Sequence, residues 1–140
     1  MTEFDYIIRL VLAVALGGLI GWERQKENKP AGLRTHILVC LGSTLFTMIS
    51  FMVLTDYAQF AIDPTRIAAG IVTGIGFLCA GSIIQSKERV IGLTTAASIW
   101  VVSAVGMAIA FGFFILAAAT AFLAVIVLYI LEKVEIRFSK

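Results

Sequence analysis

The sequence predicts an all-α membrane protein of about five transmembrane helices, arranged as two parallel-repeat helical hairpins plus a fifth helix. Of the 140 residues, 60% are hydrophobic and 14% are charged, whereas soluble domains have about 45–50% and about 25%. A water-soluble core of this size could not bury so much apolar surface. Apolar stretches of about 20 residues recur along the chain, which is the length that crosses a bilayer as a helix.

Five apolar stretches are predicted to span the membrane, in a single transmembrane domain of residues 1–140 with no soluble domain. The fourth is richer in small residues than the others but carries no charge. Little more than Phe111-Gly112 joins it to the fifth, which predicts a tight helical hairpin. The predicted spans are residues 4–22, 35–54, 66–84, 94–111 and 113–131.

The starts of two stretches carry further signals. Glu3 and Asp5 precede the first stretch and no basic segment does, so a retained helix is expected there and not a cleaved signal peptide. Asp63 and Pro64 precede the third stretch. Aspartate is a preferred helix N-cap and proline is tolerated at the first helical position, so a helix is predicted to begin there.

The basic residues predict how the chain is oriented in the membrane. Nine of the 11 lysines and arginines fall in loops or ends on one side of the predicted bundle. Cytoplasmic loops carry an excess of lysine and arginine, so the N-terminus is predicted outside and the C-terminus in the cytoplasm. The nine are Arg24, Lys26, Lys29, Arg34, Lys87, Arg89, Lys133, Arg137 and Lys140.

The first two stretches resemble the next two when the sequence is shifted by 60 residues without gaps. Both copies would cross the membrane inward and then return, which indicates a parallel repeat about an axis along the membrane normal. A chance match between glycine-punctuated hairpins is the alternative. The matched pairs are Ile7/Ile67, Gly21/Gly81, Gln25/Gln85, Gly32/Gly92, Leu33/Leu93, Thr35/Thr95, Ser43/Ser103 and Phe51/Phe111.

Glycines at helical spacing predict close packing between helices. Small residues four apart let helix backbones approach each other in lipid. This pattern occurs in the first and third stretches, so the odd-numbered helices are expected at the centre of the bundle, with contacts either within one chain or across a dimer. The glycines are Gly17, Gly21, Gly70, Gly74, Gly76 and Gly81.

A group of polar residues, here called the polar belt, lies at the predicted cytoplasmic ends of the first, second and fourth stretches. An ion pair between Glu23 and Arg34 is predicted, which would leave Arg24 for the surface or a lipid head group. The alternative is that the basic residues only orient the chain, since long side chains reach the interface at little cost. The belt comprises Glu23, Arg24, Arg34, Thr35, His36, Thr94 and Thr95.

Two further groups are weaker candidates for binding. Asp56 and Asp63 lie in the outer loop with Arg66, and two carboxylates there could attract a hydrated divalent cation such as magnesium, although they offer few ligands. Cys40 and Cys79 sit at similar depth in apolar stretches. For them, packing is favoured over a metal or redox pair.

The sequence carries no sign of catalysis or of nucleic-acid binding. It has no P-loop, no HExxH motif and no serine–histidine–acid set, and His36 is its single histidine. No cofactor and no enzymatic activity are expected. Net charge is +2, without a polybasic stripe for nucleic acid.

Several motifs together resemble the bacterial MgtC/SapB family, in the family's order and over about residues 5–110. Cys79 departs from them, because the family repeats a glycine at this position. The motifs are Gly21-Trp22-Glu23-Arg24-Gln25, Ala31-Gly32-Leu33-Arg34-Thr35-His36, Asp63-Pro64-Thr65-Arg66-Ile67-Ala68-Ala69, Thr73-Gly74-Ile75-Gly76-Phe77-Leu78 with Ala80-Gly81, and Gly92-Leu93-Thr94-Thr95-Ala96-Ala97 with Trp100.

The resemblance implies a multi-pass protein of the bacterial inner membrane. Such proteins are linked to adaptation to low magnesium, to envelope or acid stress and to survival inside macrophages. The function expected here is regulation through binding of other proteins. The expected partners are a second copy of the chain, which would form a homodimer, and other membrane proteins. A magnesium or other ion transporter or channel formed by an oligomer is the alternative. Many relatives carry a cytoplasmic C-terminal domain of the ACT type, which is not expected in a chain that stops at Lys140.

Overall fold

The computed structural model describes residues 2–56, 63, 65–85 and 90–138. These residues form five helices and a two-stranded antiparallel hairpin, in the order α1, α2, α3, β1, β2, α4, α5. Pro64 of the predicted helix start and three of the nine basic residues, Lys87, Arg89 and Lys140, lie outside the described residues. The elements are α1 Glu3–Lys26, α2 Leu33–Asp56, α3 Thr65–Ser82, β1 Ile84–Gln85, β2 Val90–Ile91, α4 Leu93–Ala110 and α5 Phe114–Phe138.

The predicted fold class is confirmed: this is an all-α membrane protein. Within the described residues, α1, α2, α4 and α5 are each long and apolar enough to cross a bilayer. The apolar part of α3, Arg66–Ser82, is shorter. The short β1–β2 hairpin was not predicted. It forms where Ile84 pairs with Ile91, and β-branched residues of this kind favour strands.

The helix order follows the predicted repeat of two hairpins. Helix α2 begins at Leu33 and α4 begins at Leu93, a separation equal to the 60-residue shift. One matched pair is also in contact, because the rings of Phe51 and Phe111 meet edge to face at 4.8 Å between centroids. The two second helices of the repeat therefore run side by side through the molecule.

Helix α4 lies at the centre of the bundle and contacts all four other helices. Its residues Val102, Val105 and Ile109 are buried, and they form the main core with residues of α1, α2 and α5. The expectation that the odd-numbered helices form the centre is therefore wrong.

The two hairpins are packed by different faces, which explains this error. In the first, Gly17 and Gly21 of α1 lie against the backbone of α2, and a Cβ added to either would come within 2.8 Å of α2 atoms. In the second, α3 contacts α4 through Ile75 and Cys79, and the Cys79 thiol donates to the Ala96 carbonyl at 3.2 Å. Because α3 faces α4 with Ile75 and Cys79, its glycines lie on the outside of the bundle.

Close packing in α3 is accordingly not realised within the chain. A Cβ added to any of its glycines would meet no described atom within 4 Å. Phe77, which the 60-residue shift pairs with Gly17, is 82% exposed. The prediction of close packing thus holds for α1 but is wrong for contacts of α3 inside one chain. The α3 glycines are Gly70, Gly74, Gly76 and Gly81.

Two helix ends are closed by the same hydrogen-bonded turn. At the α4–α5 link, Gly112 has φ +83 and the amide of Phe113 donates to the Ala108 carbonyl at 2.9 Å. After α1, Asn28 has φ 53 and the amide of Lys29 donates to the Arg24 carbonyl at 3.0 Å. A left-handed residue followed by such a bond is a common helix C-terminal motif. The second turn brings Lys29 back over the last turn of α1.

Candidate functional site at the basic end

The basic end is defined here as the end of the bundle where α1, α3 and α5 finish and α2 and α4 begin. The structure divides the predicted polar belt between interior and surface. Arg34 and Thr94 are exposed, and Thr35 is half-buried. The buried members are Glu23, Arg24, His36 and Thr95.

Glu23 pairs with its neighbour Arg24 and not with Arg34. Arg24 Nη1 lies 3.7 Å from Glu23 Oε2, and both side chains are at least nine-tenths buried. The predicted Glu23–Arg34 pair is therefore wrong, and so is the expectation that Arg24 is free at the surface. The reason is that both α1 side chains are buried, whereas Arg34 at the start of α2 is exposed.

The Glu23–Arg24 contact is too long for a hydrogen bond, which needs about 2.7–3.2 Å between nitrogen and oxygen. Both Glu23 oxygens and Arg24 Nε are buried and have no hydrogen-bond partner among the described residues. Buried polar groups without partners are costly. The Glu23–Arg24 pair therefore lacks the hydrogen bonds that a purely structural buried ion pair would be expected to have.

A second ion pair lies beside the first. Lys29 Nζ lies 2.6 Å from Glu132 Oε1, which ties the α1–α2 link to α5. Both side chains are partly exposed. Together with Arg24 and Thr94 they line a cavity of about 190 Å³ between α1, α4 and α5. The two ion pairs thus place two cations and two carboxylates next to each other within the basic end.

His36 is fully buried and connects α2 to α4. Its Nδ1 lies 2.9 Å from the Gly32 carbonyl oxygen and its Nε2 lies 3.0 Å from Ser98 Oγ. A carbonyl oxygen can only accept, so Nδ1 carries a proton. In the neutral ring Nε2 then accepts from the Ser98 hydroxyl. In the charged ring Nε2 donates to it, and Ser98 is free to donate to the Thr95 carbonyl, 2.8 Å away. The polar belt is thus linked to the central helix.

At the opposite end, the predicted Asp63/Arg66 corner is present as a helix start. The Arg66 amide donates to the Asp63 carbonyl at 3.4 Å, and both residues are exposed. The carboxylate of Asp56 lies outside the described side chains. No group of three or more histidine, cysteine or acidic residues suited to a metal occurs in the part of the chain that is described, so the weak magnesium site stays a prediction.

Three contacting residues were not singled out from the sequence as site residues. Arg9 donates hydrogen bonds to the carbonyls of Ile109 and Ala110 at the end of α4. Ser98 contacts His36, and Glu132 contacts Lys29. In the sequence, Ser98 stands out only as a hydroxyl residue in an apolar helix, and Glu132 only as an acidic residue near the end of another. Neither signal identifies the contacting residue, which depends on how the helices pack.

An apolar groove of about 720 Å³ runs between α2 and α3. Gly70 and Gly74 form part of its α3 wall, Gly42 and Phe46 part of its α2 wall, and Arg66 lies at one end. Gly70 and Gly74 of α3 therefore border an open groove, whereas Gly17 and Gly21 of α1 are closed against α2.

Curated relatives have similar sequences over most of this chain. The protein "Putative magnesium transporter YhiD" of Escherichia coli K12 is 43% identical over 136 residues, which cover 95% of this chain and 63% of that protein. "Protein SrpB" of Synechococcus elongatus is 42% identical over 113 residues, covering 74% and 62%. "Protein MgtC" of Salmonella typhimurium LT2 is 44% identical over 114 residues, covering 81% and 47%.

The chain thus spans about half to two thirds of the length of these relatives. No solved structure matches it significantly. The model of the MgtC family matches residues 10–137, which is nearly the whole chain and includes the motifs that carried the resemblance. This chain belongs to the MgtC family.

Proposed function

We propose that this protein acts by binding other membrane proteins, including a second copy of itself, in the bacterial inner membrane during adaptation to low magnesium. The observation that carries the proposal is the outward glycine face of α3. Residues Gly70, Gly74 and Gly81 lie on one side of this helix, and none has a described atom within 4 Å of an added Cβ. Another helix could approach this face closely.

The cost of these glycines supports the proposal. A glycine inside a helix is less favourable than alanine by about 0.8–1.0 kcal/mol. In α1 the cost is offset by packing against α2, whereas in α3 none of the described residues provides such a contact. Small residues at this spacing are typical of helix association in membranes. A partner helix would supply the missing contacts.

Roles in envelope or acid stress and in virulence-type survival belong to the same proposal. They rest on membership of the MgtC family. The expectation that the protein is not an enzyme rests on the family motifs and on the lack of a catalytic motif in the sequence.

The interior of the bundle favours binding over transport. A Cβ added to Gly106 of α4 would lie 2.4 Å from the Cys40 carbonyl oxygen of α2, so these two helices leave no room for an ion at this crossing. Transport of magnesium or another ion is the second candidate, because one relative is named as a transporter. For that candidate we place the path between copies, along the α2–α3 groove.

The test compares Gly74→Ile with Gly76→Ile. Successive residues turn by about 100° around a helix, so Gly76 lies on a different side from Gly74 and is a matched control. Single-molecule photobleaching in liposomes is expected to show self-association for the wild type and Gly76→Ile, and mainly single copies for Gly74→Ile. Equal association of all three would contradict the proposed face.

Function is tested in a strain that depends on this protein for growth in low magnesium. Gly74→Ile should fail to restore growth at wild-type expression, and Gly76→Ile should restore it. Proteoliposomes with a magnesium-sensitive dye provide the opposing test. Magnesium flux that depends on the protein would replace the binding proposal with the transporter.

A further inference from the structure

The cavity at the basic end has the features of an anion site. Arg24, Lys29 and Thr94 contribute to its polar part, together with Glu132. The cavity lies between α1, α4 and α5, on the side of the molecule away from the α2–α3 groove. None of the contacts that support the proposed function involves it.

Arg24 provides the strongest observation. Its side chain is 3% exposed and lines the cavity. Among the described residues its Nε has no hydrogen-bond partner, and its ionic contact with Glu23 is 3.7 Å long. A guanidinium group carries five N–H donors in a plane that matches phosphate and carboxylate oxygens. A buried guanidinium with an unused donor next to a cavity therefore indicates an anionic ligand.

The surroundings of Arg24 add positive charge. The turn after α1 places Lys29 over the same cavity, since the Lys29 amide bonds back to the Arg24 carbonyl. Helix α4 begins at Leu93, and Gly92 before it provides no side-chain cap. The first amides of a helix lack partners within it and favour anions. Thr94, in this first turn, lines the cavity as well.

The remaining wall is apolar and belongs to α5. Val127 and Leu131 are each 52% exposed on the outer surface of the bundle, where lipid chains would lie. The cavity is thus polar at one end and apolar along one side. Basic pockets between transmembrane helices commonly receive phosphate-bearing lipid head groups.

We propose that the cavity between Arg24, Lys29 and the start of α4 binds a phosphate group, carried by an anionic phospholipid or present as a free phosphate. Arg24 and the α4 amides hold the phosphate oxygens. Lys29 adds a third donor when it turns from Glu132. An acyl chain, if present, lies along Val127 and Leu131.

The carboxylates of Glu132 and Glu23 oppose the binding of phosphate. Variants can therefore be expected both to raise and to lower the affinity for phosphate. Glu132 competes with phosphate for Lys29, at 2.6 Å in the structure. Glu23 lies beside Arg24 but makes no hydrogen bond with it. Removing the charge of Glu132 should therefore tighten binding, whereas removing the charge of Lys29 should weaken it.

The test uses thermal unfolding of the detergent-solubilised chain at constant ionic strength. Increasing amounts of phosphatidylglycerol, of diacylglycerol without a phosphate, or of inorganic phosphate are added. Phosphatidylglycerol is expected to raise the midpoint, and diacylglycerol is not. A comparable rise with inorganic phosphate alone would assign the site to free phosphate, and no rise with it would assign the site to the lipid.

Variants locate the effect at the cavity. Lys29→Gln and Arg24→Gln should each weaken the apparent affinity by about tenfold or more, because each removes charged hydrogen bonds. Lys26→Gln, an exposed basic residue on the same helix turn, is the matched control and should bind like the wild type. Glu132→Gln should bind several times more tightly.

Because Arg24 is buried, Arg24→Gln could fail to fold. Lys29→Gln and Glu132→Gln change partly exposed side chains and then carry the test alone. Three results would overturn the proposal: no midpoint rise with either phosphate probe, an equal rise with diacylglycerol, or equal affinities for Lys29→Gln, Lys26→Gln and Glu132→Gln.

Discussion

At the residue scale, the space around each glycine separates those that the packing requires from those that it does not. Gly106 is the clearest case of the first kind. An added Cβ would lie 2.4 Å from the Cys40 carbonyl oxygen and 3.0 Å from Thr44 Oγ1. The Thr44 hydroxyl also lies 2.9 Å from the Gly106 carbonyl. This crossing of α2 and α4 depends on the absence of a side chain.

The first prediction follows from this contact. Gly106→Ala should lower the free energy of unfolding by about 1–3 kcal/mol, the usual cost of overpacking, because backbone atoms must move apart. Gly76→Ala makes the same chemical change where no described atom lies within 4 Å. It should leave stability unchanged or raise it slightly.

Denaturant titration of both variants in the same detergent measures this difference. If Gly106→Ala were as stable as Gly76→Ala, the close approach of α2 and α4 would be disproved.

At the element scale, the α4–α5 link shows how a side chain of one helix donates hydrogen bonds to the last carbonyls of another. The turn itself satisfies two carbonyls of α4 through the amides of Gly112 and Phe113. These two are the carbonyls of Ile109 and Ala108. Arg9 of α1 donates a second hydrogen bond to the Ile109 carbonyl and one to the Ala110 carbonyl, and its guanidinium carbon lies 5.3 Å from the centre of the Phe114 ring. In lipid these carbonyls have no water to accept from. Arg9 therefore joins three helices at this end.

The second prediction concerns Arg9→Met. This change keeps an apolar stem but leaves the α4 carbonyls without their charged donor, which should cost about 1.5–3 kcal/mol. Amides of residues 111–113 should exchange with deuterium faster than in the wild type. Arg34→Met changes an exposed arginine at the other end and should leave this exchange unaltered.

Hydrogen exchange followed by mass spectrometry resolves these peptides. Faster exchange in both variants, or in neither, would show that Arg9 does not stabilise the link.

At the scale of the whole molecule, the uneven distribution of charge is the main feature that a membrane would recognise. The described residues at the basic end include Arg24, Lys26, Lys29 and Arg34. Arg9 and Arg66 lie towards the opposite end. An excess of lysine and arginine on one side favours retention of that side in the cytoplasm.

The third prediction is the orientation that this asymmetry implies. A green fluorescent protein fused after Lys140 should fluoresce, because it folds in the cytoplasm, and alkaline phosphatase fused at the same point should be inactive. Alkaline phosphatase preceding Met1, exported with its own signal sequence, should be active. The reverse pattern would place the basic end in the periplasm and contradict the assignment.

Much of the architecture could be read from the sequence because each contributing signal is local. The length of the apolar stretches gave five helices, and Phe111-Gly112 gave the tight link before α5. The site was harder to predict. Glu23 was predicted to pair with Arg34, whereas the structure places it beside Arg24, because sequence alone does not show which way each side chain points.

By itself the sequence determined that the protein lies in lipid, that it is helical and which of its ends is basic. These properties depend on composition and on spacing along one segment. Tertiary structure decided that α4 is central, that Glu23 faces Arg24, and that the glycines of α3 face outward. Those outcomes depend on how each helix is rotated against its neighbours. A rotation of one residue, about 100°, changes every contact, and only the packing of all five helices selects among the possible rotations.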